Sequence, residues 1–227
     1  MPKQNIAQEN VKTKASRRSM PEARQRAMDA AATILLAEGY ARLTMESVAR
    51  ESGVAKTTLY RHWPTKAALC MQLYLDAADR ELRDPDTGDL AGDLKEIAQT
   101  VVRLQTRTVA GPALIGLIAE AQIDPDAGGP FLAEFAERRR SLTRRVLRRG
   151  IQRGELQSNT DIDLVIDALG GAITFRLLQG HAPINRQFTS RLVDLVLRGC
   201  REIQESTRKE AIKGRSNDND SRDAFDR

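Results

Sequence analysis

The sequence predicts an all-α protein of about nine helices, a three-helix helix-turn-helix domain followed by a larger helical bundle. Three observations carry this expectation. Ala, Arg and Leu dominate a chain in which only 4% of 227 residues are aromatic, a composition that leans helical. No stretch alternates Val, Ile or Thr with polar residues, as a half-buried strand would. Apolar residues recur instead at intervals of three and four, between frequent Pro, Gly, Thr and Asp stops.

Each element follows from that punctuation. Residues 1–19 are polar and basic with no core periodicity, and read as a disordered basic arm. Pro21 and Glu22 suit a first helical turn, the stripe Ala27, Ala31, Ile34, Leu35 supplies a buried face, and Gly39 ends the helix. Thr44 caps a short second helix that Gly53 terminates, and Val54 to Trp63 makes a third, closed by Pro64. Thr65 caps a fourth from Lys66 to about Arg83. Helices follow from about Asp89 to Arg107, Pro112 to Ala121 and Pro130 to Arg153. Thr160 or Asp161 caps the next, which ends near Gly180, and the last runs from about Asn185 to Gln204. The polar stretch 206–227 reads as a disordered tail. The domains expected are therefore 20–66 and 67–205.

Composition excludes several classes. No apolar run is long enough for a membrane span, and no signal peptide is evident, so the chain reads as cytosolic with no membrane partner. Cys70 and Cys200 stand far apart without a neighbouring His, and read as small buried residues. With only His62 and His181, no metal-ligand spacing occurs, and no Gly-rich phosphate loop or nucleophile triad is present. A metal, a cofactor or an enzyme activity is not expected. The net charge of +5 is concentrated at one end. Residues 1–66 hold twelve Lys or Arg against six Asp or Glu, whereas the remainder is nearly balanced. That asymmetry points to a polyanion bound by the N-terminal part.

The stretch Thr44 to Trp63 has the dimensions of a helix-turn-helix, with Gly53 at the sharp turn. Ala49, Val54 and Leu59 can wedge its helices apart. The second helix then presents Lys56, Thr57, Thr58, Arg61 and His62, types that hydrogen-bond to base edges and phosphates, with Tyr60 near the domain's edge.

The run Thr44-Met45-Glu46-Ser47-Val48-Ala49, with Gly53-Val54-Ala55-Lys56-Thr57-Thr58-Leu59-Tyr60-Arg61-His62-Trp63-Pro64-Thr65-Lys66-Ala67-Ala68-Leu69, resembles the signature of the TetR family of transcription regulators. Trp63 stands where members usually carry Phe, and Thr57 where they often carry Gly. The resemblance implies that the third helix enters the major groove of an operator, and that Thr44, Ser47, Tyr60 and Lys66 join Lys56, Thr57, Thr58, Arg61 and His62 as DNA contacts. Thr44 and Lys66 open helices, where free N–H groups favour anions, although Thr44 also suits a cap alone and Tyr60 a half-buried ring.

The eighth helix is apolar on two sides, one of them Leu164, Ala168, Ala172 and Phe175. The ninth has a broad apolar arc with Leu192, Leu195, Val196, Gly199 and Ile203. The resemblance implies a homodimer through these two helices, although Gly170, Gly171 and Ala172 would also allow close packing within one subunit. A second resemblance, over about 90–200, is to a ligand domain of some TetR-family regulators. It implies a small-molecule effector among the central helices that shifts the fourth helix and releases DNA. The lining expected is Val101, Leu104, Ile115, Ile118, Phe135, Leu142, Ile173 and Phe175. Arg139 or Arg176 is then either an acidic-ligand anchor or a structural ion-pairing residue. The reading is a ligand-released repressor. Its alternatives are a ligand-independent helix-turn-helix regulator and a helical-bundle enzyme with a DNA-binding appendage.

Overall fold

The computed structural model describes the backbone of residues 5–200, with side chains except for 5–21, 125–128, 130–132, 135, 136 and 139. Eight helices follow in order: α1 (Asn5–Glu38), α2 (Met45–Ser52), α3 (Lys56–His62), α4 (Lys66–Glu81), α5 (Leu90–Arg107), α6 (Ala110–Ile123), α7 (Pro125–Gln152) and α8 (Ile162–Gln179). Residues 186–200 form α9. There is no strand among the described residues.

The caps are where short polar side chains were expected to make them. Thr44 Oγ1 accepts from the Ser47 N–H at 3.0 Å, and Ser47 Oγ accepts from the Thr44 N–H at 3.0 Å. This reciprocal box satisfies two donors at the start of α2. Thr65 Oγ1 accepts from Ala68 N, Asp161 Oδ1 from Leu164 N, and Asn185 Oδ1 from Phe188 N. Gly53 closes α2 with φ of 65°, a left-handed conformation that costs other L-residues roughly 1–2 kcal/mol.

Two helices begin several residues earlier than the sequence predicts. α1 starts at Asn5, not Pro21, and takes in most of the segment expected to be a disordered arm. That segment holds no Gly and no Pro after Asn5 until Pro21, and carries two Ala, two Lys and two Arg. Its helix propensity is good although its apolar periodicity is nil. α7 starts at Pro125, not Pro130. Pro125 suits a first helical position as well as Pro130 does, and Gly128 and Gly129 weaken the helix without ending it. The tail expected at 206–227, and the end of the last helix, lie outside the described residues.

The described residues form two compact units, residues 5–81 with 103–137, and residues 82–102 with 138–200. The boundary therefore departs from the expected break at 66/67. The reason is the buried face of α4, which carries Leu69, Cys70, Met71 and Leu73 and packs against α6, where Ala113, Leu114 and Leu117 are fully buried. Each large aliphatic side chain so buried contributes roughly 1.5–3 kcal/mol, so α4 is held to the first unit by its core. The second unit has its own core, which includes Leu90, Leu94, Val146, Leu147, Ile166 and Val193. A run of arginines on α7 is neutralised within it. Arg140 pairs with Asp163 and Asp167, Arg144 with Asp163, and Arg145 and Arg149 with Asp84.

Candidate nucleic-acid interface

Leu59 is fully buried, and Val54 and Trp63 nearly so, and these three anchor α3 in the first unit. A helix pinned by one face must present the other. Lys56, Thr57, Tyr60 and Arg61 are exposed, and Thr58 is half-buried. Tyr60 keeps 45% of its surface in solvent, which fits both a phosphate contact and a half-buried ring with its hydroxyl in water. Arg24 of α1 lies 5.9 Å from the Trp63 ring centre and covers the outer side of that anchor. Thr44 is exposed, so its hydroxyl can cap α2 and still meet a phosphate.

Three expected contacts are placed differently. Ser47 is buried and committed to the capping box, its hydroxyl donating to Thr44 O at 2.9 Å, so the structure does not present it to DNA. His62 turns inward, with a buried Nε2 and its ring 5.6 Å from that of Trp63. At the end of a seven-residue helix the 100° step already carries position 62 past the exposed face. Lys66 is held inside the first unit, 3.7 Å from Glu120 on α6. Lys56 is exposed but paired, its Nζ 2.9 Å from Glu46 Oε1.

The residues expected to line an effector site divide between the two units. Leu104, Ile115 and Ile118 belong to the first unit, where Leu104 is fully buried but Ile115 is 38% exposed. Val101, Leu142 and Ile173 share the core of the second unit. Val101 and Ile173 border a cavity of about 30 Å³ whose other walls are aliphatic apart from Thr143 and Gly170. Phe175 is 58% exposed and leaves the lining set. Arg176 is also outside that cavity. It donates to Pro183 O at 2.9 Å and lies 3.7 Å from the Phe188 ring centre, because the last turn of α8 carries it over the α8–α9 connection. It also lines an open hollow of about 570 Å³ with Arg191, Asp194 and Arg198, so the anchor and structural readings of Arg176 both stand. The side chains of Phe135 and Arg139 lie outside the described residues.

The α8 stripe expected to meet a second subunit faces outward: Leu164 is 63% exposed and Phe175 58%, with Ala168 exposed between them and Ala172 half-buried. On α9, Leu195 is 69% exposed, and Leu192, Val196 and Gly199 are half-buried. Ile203 lies outside the described residues.

Sequence reasoning missed two groups. Tyr40 and Glu120 surround Lys66, and nothing in their spacing signals a contact across eighty residues. Gln105 is 3% exposed with no partner for either amide atom. Its position, four residues after Val101 on a buried face of α5, was the available signal.

Among the described residues no helix is long and apolar enough to cross a membrane, and no group of three or more His, Cys, Asp or Glu could hold a metal ion.

Comparison with known proteins adds independent findings. Residues 27–73 match the family described as bacterial regulatory proteins, tetR family, and residues 84–196 match the tetracyclin repressor-like C-terminal domain. The HTH-type transcriptional regulator YdeS of Bacillus subtilis is 32% identical over 185 residues, 82% of this chain and 91% of that one. The DNA-binding transcriptional repressor TetR of Mycobacteroides abscessus is 34% identical over 168 residues, 72% of this chain and 86% of that one. A crystal structure of a TetR family transcription regulator aligns with a TM-score of 0.65 at 38% identity, covering 78% of this chain and 98% of that one.

Proposed function

Because this chain belongs to the TetR family of bacterial regulatory proteins and is a DNA-binding transcriptional regulator, we propose that it represses transcription as a dimer on a palindromic operator and is released by a small apolar effector. The observation that carries the reading is α3, anchored by Leu59 and Trp63 while Lys56, Thr57, Tyr60 and Arg61 face solvent. Such a helix fits a major groove. The outward stripe on α8 and the exposed Leu195 on α9 support pairing with a second copy, since an apolar patch of this kind marks an interaction surface.

The effector reading is supported by the apolar cavity beside Val101 and Ile173. Its about 30 Å³ is the share of one water, against roughly 300–1,000 Å³ for a drug-sized site. At this site a molecule larger than a water requires the core to open.

Selection from a randomised pool of duplexes tests the proposal. The expected outcome is an inverted repeat with half-site centres roughly 34–36 Å apart. Enrichment of a single unrepeated site, or of no sequence, overturns it.

A further inference from the structure

Tyr40, Lys66 and Glu120 form a cluster that the reading of bases does not explain. Tyr40 follows Gly39 in the connection between α1 and α2. Its ring lies against Gly116 of α6, so close that a Cβ there would stand 2.0 Å from the ring carbon Cδ2. Only glycine admits the ring. One turn further along α6, Glu120 accepts a hydrogen bond from the Tyr40 hydroxyl. Lys66, the first residue of α4, places Nζ 3.7 Å from the same carboxylate oxygen and 4.3 Å from the Tyr40 ring centre. Burial, with the Glu120 bond second, pushes the Tyr40 hydroxyl well above its ordinary range, so it remains a protonated donor.

We propose that Glu120 competes with DNA for Lys66, holding its ammonium when DNA is absent and yielding it to a phosphate when DNA binds. The inference rests on the reading of Lys66 as a phosphate contact. The distances suit an exchange. At 3.7 Å the pair is longer than a hydrogen bond, and Lys66 is still one-third exposed, so the attraction is weak enough for a phosphate to displace it. Tyr40 fixes the carboxylate by a charge-assisted bond and offers its ring face to the cation. Lys66 is thereby kept at one place instead of sweeping solvent. Glu120 is a positioning residue, and any displacement of Gly116 and Glu120 relative to Tyr40 alters the competition. That makes α6 an electrostatic antagonist of DNA binding.

The test measures binding of the full chain to a fluorescent duplex of arbitrary sequence, about 30 base pairs long, across roughly 50–200 mM salt, where phosphate contacts dominate. Lys66→Met is expected to weaken binding and to lower the salt slope by about 0.9, the value of one phosphate. Wild-type affinity and slope in Lys66→Met would remove the phosphate reading itself, and the proposal with it. Glu120→Gln keeps an acceptor for Tyr40, and is expected to tighten binding about two- to fivefold. In a Lys66→Met background that gain disappears. No gain in the wild-type background, or an equal gain in both, overturns the competition while leaving Lys66 as a DNA contact. Should Glu120→Gln unfold by circular dichroism, Glu120→Asp decides. It keeps the charge and draws the carboxylate back by one methylene, so unchanged binding overturns the proposal and tighter binding that needs Lys66 supports it.

Discussion

Lys56 Nζ and Glu46 Oε1 lie 2.9 Å apart, tying the first residue of α3 to the first turn of α2. Both side chains are more than half exposed, so the pair adds little stability. Its consequence is electrostatic. The hydrogen bond from Lys56 holds the Glu46 carboxyl below the usual carboxylate range, so Glu46 is an anion beside the DNA-facing surface, screened by one lysine. Lys56→Ala therefore removes a cation and also uncovers an anion. It is expected to weaken DNA binding more than the same change made in a Glu46→Gln background. A double-mutant cycle on duplex binding reads the difference, and additive effects would mean that DNA leaves the interaction within the pair unchanged.

Base reading and phosphate positioning separate on α3. Thr57 is exposed at the second position of the helix, and Tyr60 is the exposed ring one turn on. Thr57→Gly is expected to change which duplexes are enriched in a randomised selection, because a side chain bonded to a base edge discriminates by roughly 1–3 kcal/mol. Tyr60→Phe is expected to weaken all duplexes alike. An unchanged preference profile for Thr57→Gly contradicts its role as a reader.

Much of this architecture was legible because it rests on local chemistry. Thr44, Gly53, Thr65, Asp161 and Gly180 end or begin helices through bonds and backbone angles set within a few residues. The buried stripe at Leu59 likewise follows from a 3.6-residue period. What the sequence hid is long-range. Glu120 meets Tyr40 and Lys66 only because α6 packs on α4, and no local pattern encodes that pairing. Ser47 illustrates a second limit, since a serine at N3 can close a cap or face a ligand, and only burial decides. Arg176 illustrates a third. An arginine among apolar neighbours invited an anionic ligand, and no local pattern shows the carbonyl and the ring, seven and twelve residues onward, that engage it.

Dimerisation can be tested on the exposed stripe. Leu195 of α9 is 69% exposed and Leu164 of α8 is 63% exposed, so a charge at either site meets water in a lone chain. Leu195→Glu and Leu164→Arg should leave helical content and monomer folding nearly unchanged. Buried against a second copy, the same charges lack partners and are expensive. Sedimentation at micromolar concentration is expected to show monomers for the variants and dimers for the parent. A dimeric Leu195→Glu, Leu164→Arg double variant would move the interface elsewhere.

Acid sensitivity should centre on Asp93. Its side chain is fully buried, and its Oδ1 accepts from the Thr87 N–H at 2.7 Å and from the Thr87 hydroxyl at 2.8 Å. Arg153 and Arg149 lie 3.4 Å and 3.6 Å from its other oxygen. Burial alone would raise the carboxyl's pKa, but the Thr87 and Arg153 hydrogen bonds and the Arg149 charge outweigh it and hold it below the ordinary value of 3.8. A depressed folded-state pKa means that the unfolded chain takes up the proton first as pH falls. The stabilisation is therefore complete above the unfolded pKa, and is lost progressively as pH drops below about 4 toward the folded one. Asp93→Asn keeps one acceptor but discards the charge, and leaves Arg149 and Arg153 less well matched. It is expected to destabilise the second unit by about 1–3 kcal/mol at neutral pH. Because the variant has no carboxylate to titrate at this position, the gap from wild type must narrow as pH falls. Urea denaturation of both proteins at neutral pH and near pH 3 measures that gap. A difference that stays constant across the range would assign the effect of Asp93 to shape and hydrogen bonding, with no contribution from its charge.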